Sequence, residues 1–84
     1  MRVDFRTIGV KNIEGNIETA DVSKQLGNVM YMQGQNIVEC ELGRDIYHNG
    51  VVELNSKHVE MVRKFIQPWS YVLRQAIEET LNDD

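Results

Sequence analysis

Chemically soft residues are scarce in this chain. Its 84 residues hold one cysteine, Cys40, and two histidines, His48 and His58. A lone cysteine forms no internal disulfide, and with no other covalent staple the chain reads as intracellular. Metal chemistry is poorly served as well. Cys40 and His48 fall about 80° out of line on a helix, and no Cys or His pair has zinc-finger spacing. No metal and no cofactor are therefore expected. Cys40 is a poor nucleophile too, because Glu39 and Glu41 beside it disfavour a thiolate. It reads as a core or half-buried thiol.

Other absences narrow the field further. No apolar run approaches the ~20 residues that span a bilayer, so no membrane is expected. The opening Met1-Arg2-Val3-Asp4-Phe5 places an acid where an export signal needs an uncharged run, which predicts a cytoplasmic location. Gly27, Gly34 and Gly43 stand alone with no Lys-Ser/Thr after them, so no phosphate loop forms. Basic residues are outnumbered thirteen to nine, for a net charge of −4. That balance disfavours nucleic acid, whose binding depends on neutralising phosphates.

What is present is ordinary globular material, 42% hydrophobic and 26% charged. It amounts to a single small globular domain over 1–84. A chain of this size buries roughly 60–65% of the surface its unfolded form exposes, leaving a thin stability margin. The organising stretch is Asn55 to Leu81. Val59, Val62, Phe65, Ile66, Trp69, Leu73, Ala76, Ile77 and Thr80/Leu81 recur on a 3.6-residue period, with Glu60, Lys64, Tyr71, Gln75 and Glu78 opposite.

The remaining elements must pack on that stripe. Val3 to Val10 predicts a strand, but Val3 and Phe5 have one parity and Ile8 and Val10 the other, so an irregularity is expected near Arg6–Gly9. Glu14-Gly15-Asn16 signals a turn, and Ile17 to Ala20 completes a β-hairpin. Asp21 or Ser23 can cap a helix to about Gln33, with Val22, Leu26, Val29 and Met30 buried. Gly27 weakens it by about 1 kcal/mol relative to Ala unless it allows close approach to the C-terminal helix. Asn36 opens the next helix with Glu39 at capping-box spacing, and Val38, Leu42 and Ile46 form its stripe. Asn49-Gly50 stops it.

Val51 to Leu54 is a third strand, expected to join the hairpin, and Asn55 or Ser56 caps the helix after it. Pro68 removes an amide and clashes with the Lys64 carbonyl, which divides the last segment into helices of about 56–67 and 68–82. Asp83 and Asp84 oppose the dipole there and favour fraying. The predicted fold is α+β: an N-terminal β-hairpin, two helices, a third short strand, then a broken amphipathic C-terminal helix pair.

Few constellations compete for a function. Glu39/Glu41 and Glu78/Glu79 are too close in sequence to converge in a pocket, so they read as solvated faces. No nucleophile–base–orienter set can be assembled, and the chain is read as no enzyme. The two middle helices have helix-turn-helix-like spacing, yet the would-be recognition helix carries Glu39, Glu41 and Asp45 against Arg44. Apolar residues in excess of one small core are more informative. Tyr31, Met32, Met61, Trp69 and Tyr71 form the candidate interaction surface, Tyr31 and Tyr71 lying off the buried stripes.

The stretch Glu41-Leu42-Gly43-Arg44-Asp45-Ile46-Tyr47-His48-Asn49-Gly50-Val51-Val52-Glu53-Leu54, with the periodic helix after it, resembles small proteins encoded by tailed phages and prophages. The likeness extends loosely from Val3-Asp4-Phe5 to Ala76-Ile77-Glu78-Glu79-Thr80-Leu81. That group has no defined activity, so no site residues carry over from it. The resemblance implies a mobile-element protein in a bacterial host cell, serving virion assembly or host interaction. The function expected is thus a non-enzymatic protein-interaction module, acting through self-association or a protein partner. The alternative is a nucleic-acid-binding regulator.

Overall fold

The computed structural model describes residues 1–82. Its elements run β1 (Arg2–Asp4), β2 (Ile8–Lys11), β3 (Ile17–Ala20), α1 (Ser23–Gln33), α2 (Ile37–Asn49), β4 (Val51–Glu53), α3 (Ser56–Ile66) and α4 (Tyr71–Asn82). This is an α+β layout with the predicted order of elements. The expected fraying at Asp83 and Asp84 lies outside the described residues.

The parity switch in the first ten residues is resolved by a break. At Arg6 and Thr7 the chain turns, the Thr7 amide donating to the Asp4 carbonyl at 3.3 Å while the Asp4 carboxylate accepts from the Arg6 amide at 2.9 Å. The two halves then join different sheets. β1 pairs antiparallel with β4, Val3 opposite Val52; β2 pairs antiparallel with β3, Ile8 opposite Ala20 and Lys11 opposite Ile17. So Val3, Phe5 and Ile8 are all buried despite their opposed parity. The third strand, expected to extend the hairpin, pairs instead with β1, since a single straight strand cannot turn both sets inward.

The two-stranded hairpin that remains needs other support. Its tip follows the predicted turn: Gly15 has φ +89° and the Asn12 amide donates to the Asn16 carbonyl at 2.8 Å. Its inner face places Ile8, Val10 and Ala20 against the core.

α1 and α2 form an antiparallel hairpin across the short connection Gly34–Asn36. Neither Asp21 nor Ser23 caps α1, whose N-cap is Val22 with no side-chain cap; the Asp21 carboxylate instead accepts from the Ser23 amide at 3.0 Å and from its hydroxyl at 2.7 Å. Asn36 caps α2 by accepting from the Glu39 amide at 2.9 Å. Gly50 ends α2 at φ +75°, its amide reaching the Ile46 carbonyl at 3.0 Å. The close approach expected of Gly27 is real, but the partner is α2, not the C-terminal helix. A Cβ on Gly27 would lie 2.6 Å from the Gly43 carbonyl oxygen and from the Tyr47 amide nitrogen.

The C-terminal stripe is buried much as its period predicts. Val62, Phe65, Ile66, Ala76, Ile77 and Leu81 are core; Val59, Trp69 and Leu73 pack partly against it. Asn55 opens α3 through a capping box with His58, whose amide donates to Asn55 Oδ1 at 2.9 Å. Pro68 costs more helix than expected: α3 stops at Ile66 and α4 starts at Tyr71, not near residue 68. Arg63 on α3 donates to the Glu78 carboxylate on α4 at 3.1 Å, and to Asn82 Oδ1 at 2.6 Å. Glu78, predicted on the open face, is half-buried by that pairing.

Candidate functional site

Two places on the surface gather residues able to bind something. The first lies between the β2–β3 hairpin and α4. The Asn12–Asn16 hydrogen bond sets the phase of the ladder, so 10↔18 and 8↔20 are the bonded pairs. The amide and carbonyl of Ile17 and Thr19 consequently face away from β2, along an edge that no described strand occupies. The side chains of Lys11, Ile17 and Thr19 share the outer face with Gly9, which has none to offer. Beside that face run Tyr71, Val72, Gln75, Ala76 and Glu79 of α4, enclosing an open groove of about 530 Å³. Three of its residues are exposed hydrophobics: Ile17 at 67%, Tyr71 at 68% and Val72 at 52%. Ile13, at the hairpin tip, is fully exposed.

The second place is the outer face of the α1–α2 hairpin. There Gly27, Asn28, Tyr31, Arg44, Tyr47 and His48 line a smaller pocket of about 260 Å³.

The five residues singled out from sequence do not converge. Tyr31 belongs to the helical-hairpin pocket and Tyr71 to the groove, while Met32 is exposed on α1. Met61 and Trp69 are half-buried and pack on the core, so the surface assigned to them is partly interior. Sequence reasoning misses Ile17 and Val72. The exposed Val72 sits next to Tyr71 at the start of α4, but Ile17 reaches the groove only through tertiary packing.

Glu39 requires a correction. Its pattern pairs it with Glu41 on a solvated face and buries Val38; in the fold Glu39 is 3% exposed and Val38 43%. Lys64 reaches across from α3 and donates to the Glu39 carboxylate. The other carboxylate oxygen accepts from the Gln35 amide at 2.9 Å, one residue ahead of the capping-box partner expected. Lys64 first, then the Gln35 amide, hold the Glu39 carboxyl below its ordinary range, against the opposing effect of burial. Among the described residues no buried side-chain nitrogen or oxygen lacks a partner.

Cys40 is half-buried and its thiol donates to the Tyr31 carbonyl at 3.5 Å. Among the described residues no group of three or more His, Cys, Asp or Glu is placed to hold a metal ion. No described helix is long and apolar enough to cross a membrane. α1 and α2 touch along their whole length, from Lys24–Tyr47 to Gly34–Cys40. That is an antiparallel pair, not the steeply crossed pair of a DNA-binding helix-turn-helix. No protein-family model, curated protein or solved structure matches the chain.

Proposed function

We propose that this chain is a non-enzymatic protein-interaction module that works through the groove between the β2–β3 hairpin and α4. One observation carries the reading: Ile17, Tyr71 and Val72 expose apolar surface around a single groove, on a hairpin whose β3 edge has no partner among the described residues. Water against that surface is unfavourable by roughly 25 cal/mol per Å², and an edge strand is a template for another strand. The groove suits a partner's apolar side chains, and the edge of β3 that faces away from β2 offers Ile17 and Thr19 to an added strand. The resemblance of residues 41–54 to phage and prophage proteins supports a partner in a bacterial cytoplasm, as a second copy or a larger phage or host protein.

Light scattering on the purified protein, with affinity capture from the host before and after phage induction, tests this. Ile17→Lys and Tyr71→Ala are expected to abolish the association while leaving the circular dichroism spectrum unchanged, because both side chains are exposed. A monomer that captures nothing under either condition refutes the proposal. The second reading, a nucleic-acid-binding regulator, rests on helix-turn-helix-like spacing that folds as an antiparallel hairpin. Absence of an electrophoretic shift at low salt removes it.

A further inference from the structure

We propose that the outer face of the α1–α2 hairpin binds a small organic anion built on a single flat ring. The pocket has an internal symmetry written into the sequence. Gly27 and Tyr31 on α1, and Gly43 and Tyr47 on α2, are two Gly-x-x-x-Tyr pairs on antiparallel helices. Each glycine receives the other helix's tyrosine: Gly27 lies against Tyr47, and Gly43 against the Tyr31 backbone. With no side chains at the crossing, the helices approach closely and the space outside them stays open between the two rings.

Each ring is met by a cation from the opposite helix. Lys24 Nζ stands 4.2 Å from the Tyr47 ring centroid, and the Arg44 guanidinium carbon 5.7 Å from that of Tyr31. Lys24 also donates to the Tyr47 carbonyl at 2.9 Å, neutralising the negative end of α2. Neither cation has a carboxylate partner among the described residues, in a chain of net charge −4. Arg44, the one Lys or Arg on the pocket lining, and Lys24 beyond it against the Tyr47 ring together select an anion. They also exclude the cationic ligand that tyrosine rings would otherwise attract, since both rings already face a positive charge.

The flat ring follows from the rest of the lining. Tyr31, Tyr47, His48 and the Arg44 guanidinium are planar groups; Tyr47 and His48 stand at 79° to each other, so one can offer a face and the other an edge to an aromatic ligand, and the Asn28 amide offers a donor and an acceptor at the margin. At about 260 Å³ the pocket falls just below the usual lower limit of ~300 Å³ for ligand sites. That volume admits one ring with one charged group, not a dinucleotide.

The test is a titration of ¹⁵N-labelled protein, followed by amide chemical shifts, with phenyl phosphate and with benzoate. Phenol and inorganic phosphate serve as controls for the ring and the charge alone. Saturable shifts confined to residues 24–31 and 43–48 are expected with at least one of the two anions, which also distinguishes phosphate from carboxylate. Arg44→Gln should weaken binding at least tenfold without altering the melting temperature, because Arg44 is exposed. Tyr31→Leu provides a second variant that keeps the charge and removes the ring. No saturable shift with either anion overturns the proposal. So does equal binding by a control, or undiminished affinity in both variants.

Discussion

Replacing Lys64 with methionine should destabilise the protein more than replacing Glu39 with glutamine, although the two residues form one ion pair. The asymmetry comes from burial: the side chain of Glu39 is 4% exposed and that of Lys64 is 51% exposed. Lys64→Met keeps the aliphatic stem but strands a buried carboxylate, which retains only the Gln35 amide. Breaking a fully buried pair in this way costs about 3–5 kcal/mol, whereas an exposed pair contributes about 0.2–1 kcal/mol. With one partner half in water, the expected loss is about 2 kcal/mol. Glu39→Gln still accepts from the Gln35 amide and frees a lysine that can turn to solvent, so about 1 kcal/mol is expected. Adding Lys64→Met to Glu39→Gln should then cost almost nothing more.

Urea unfolding followed by Trp69 fluorescence measures all three variants. The pH dependence has a definite sign. Lys64 and the Gln35 amide lower the folded-state pKa of Glu39, so the stabilisation is complete above the ordinary value of 4.5 and disappears as pH falls through the lower folded value. The gap between wild type and Lys64→Met should therefore be full at neutral pH and close in acid. A Lys64→Met protein that matches wild type at neutral pH, or is more stable than Glu39→Gln, would refute the reasoning.

Gly27→Ala should destabilise by about 1–2 kcal/mol despite a helix-propensity gain of about 1 kcal/mol, since the new Cβ would meet α2 backbone at 2.6 Å; thermal melting checks it. Asn55→Ala removes the side-chain acceptor for the His58 amide and should cost about 1 kcal/mol, read by urea denaturation. Val72→Asp, on the exposed margin of the groove, should leave the melting temperature within about 2 °C of wild type while weakening any association seen by light scattering.

Features governed by local chemistry were legible in the sequence. Asn36, Gly50 and Asn55 act where capping rules place them, and the stripe from Val59 to Leu81 is buried because helical phase alone decides which side faces inward. Pairing at a distance was not legible. The parity switch after Phe5 announced a break, but nothing nearby in the chain says that β1 would pair with β4. The burial of Glu39 escaped for a similar reason: its helical phase is readable, whereas the lysine above it comes from α3. Of the two surface sites, the Gly-x-x-x-Tyr pairs did leave a signal, two copies of one spacing on consecutive helices. The groove left only Tyr71, since Ile17 becomes its neighbour through folding.

The pairing of β1 with β4 also bears on the order in which the molecule assembles. α1 and α2 are joined by a few residues and can meet on the microsecond scale of local events. Arg2 and Glu53, by contrast, are about fifty positions apart, and closing so long a loop is an entropic loss that only the finished core offsets. Side chains of the helical hairpin, such as Leu26 and Ile46, should thus be consolidated in the transition state, so that truncating them slows folding. Truncating Val3 or Val52 should instead speed unfolding, a partition that stopped-flow kinetics resolves. The strand that seals the molecule last is then the one that sets how long it stays folded.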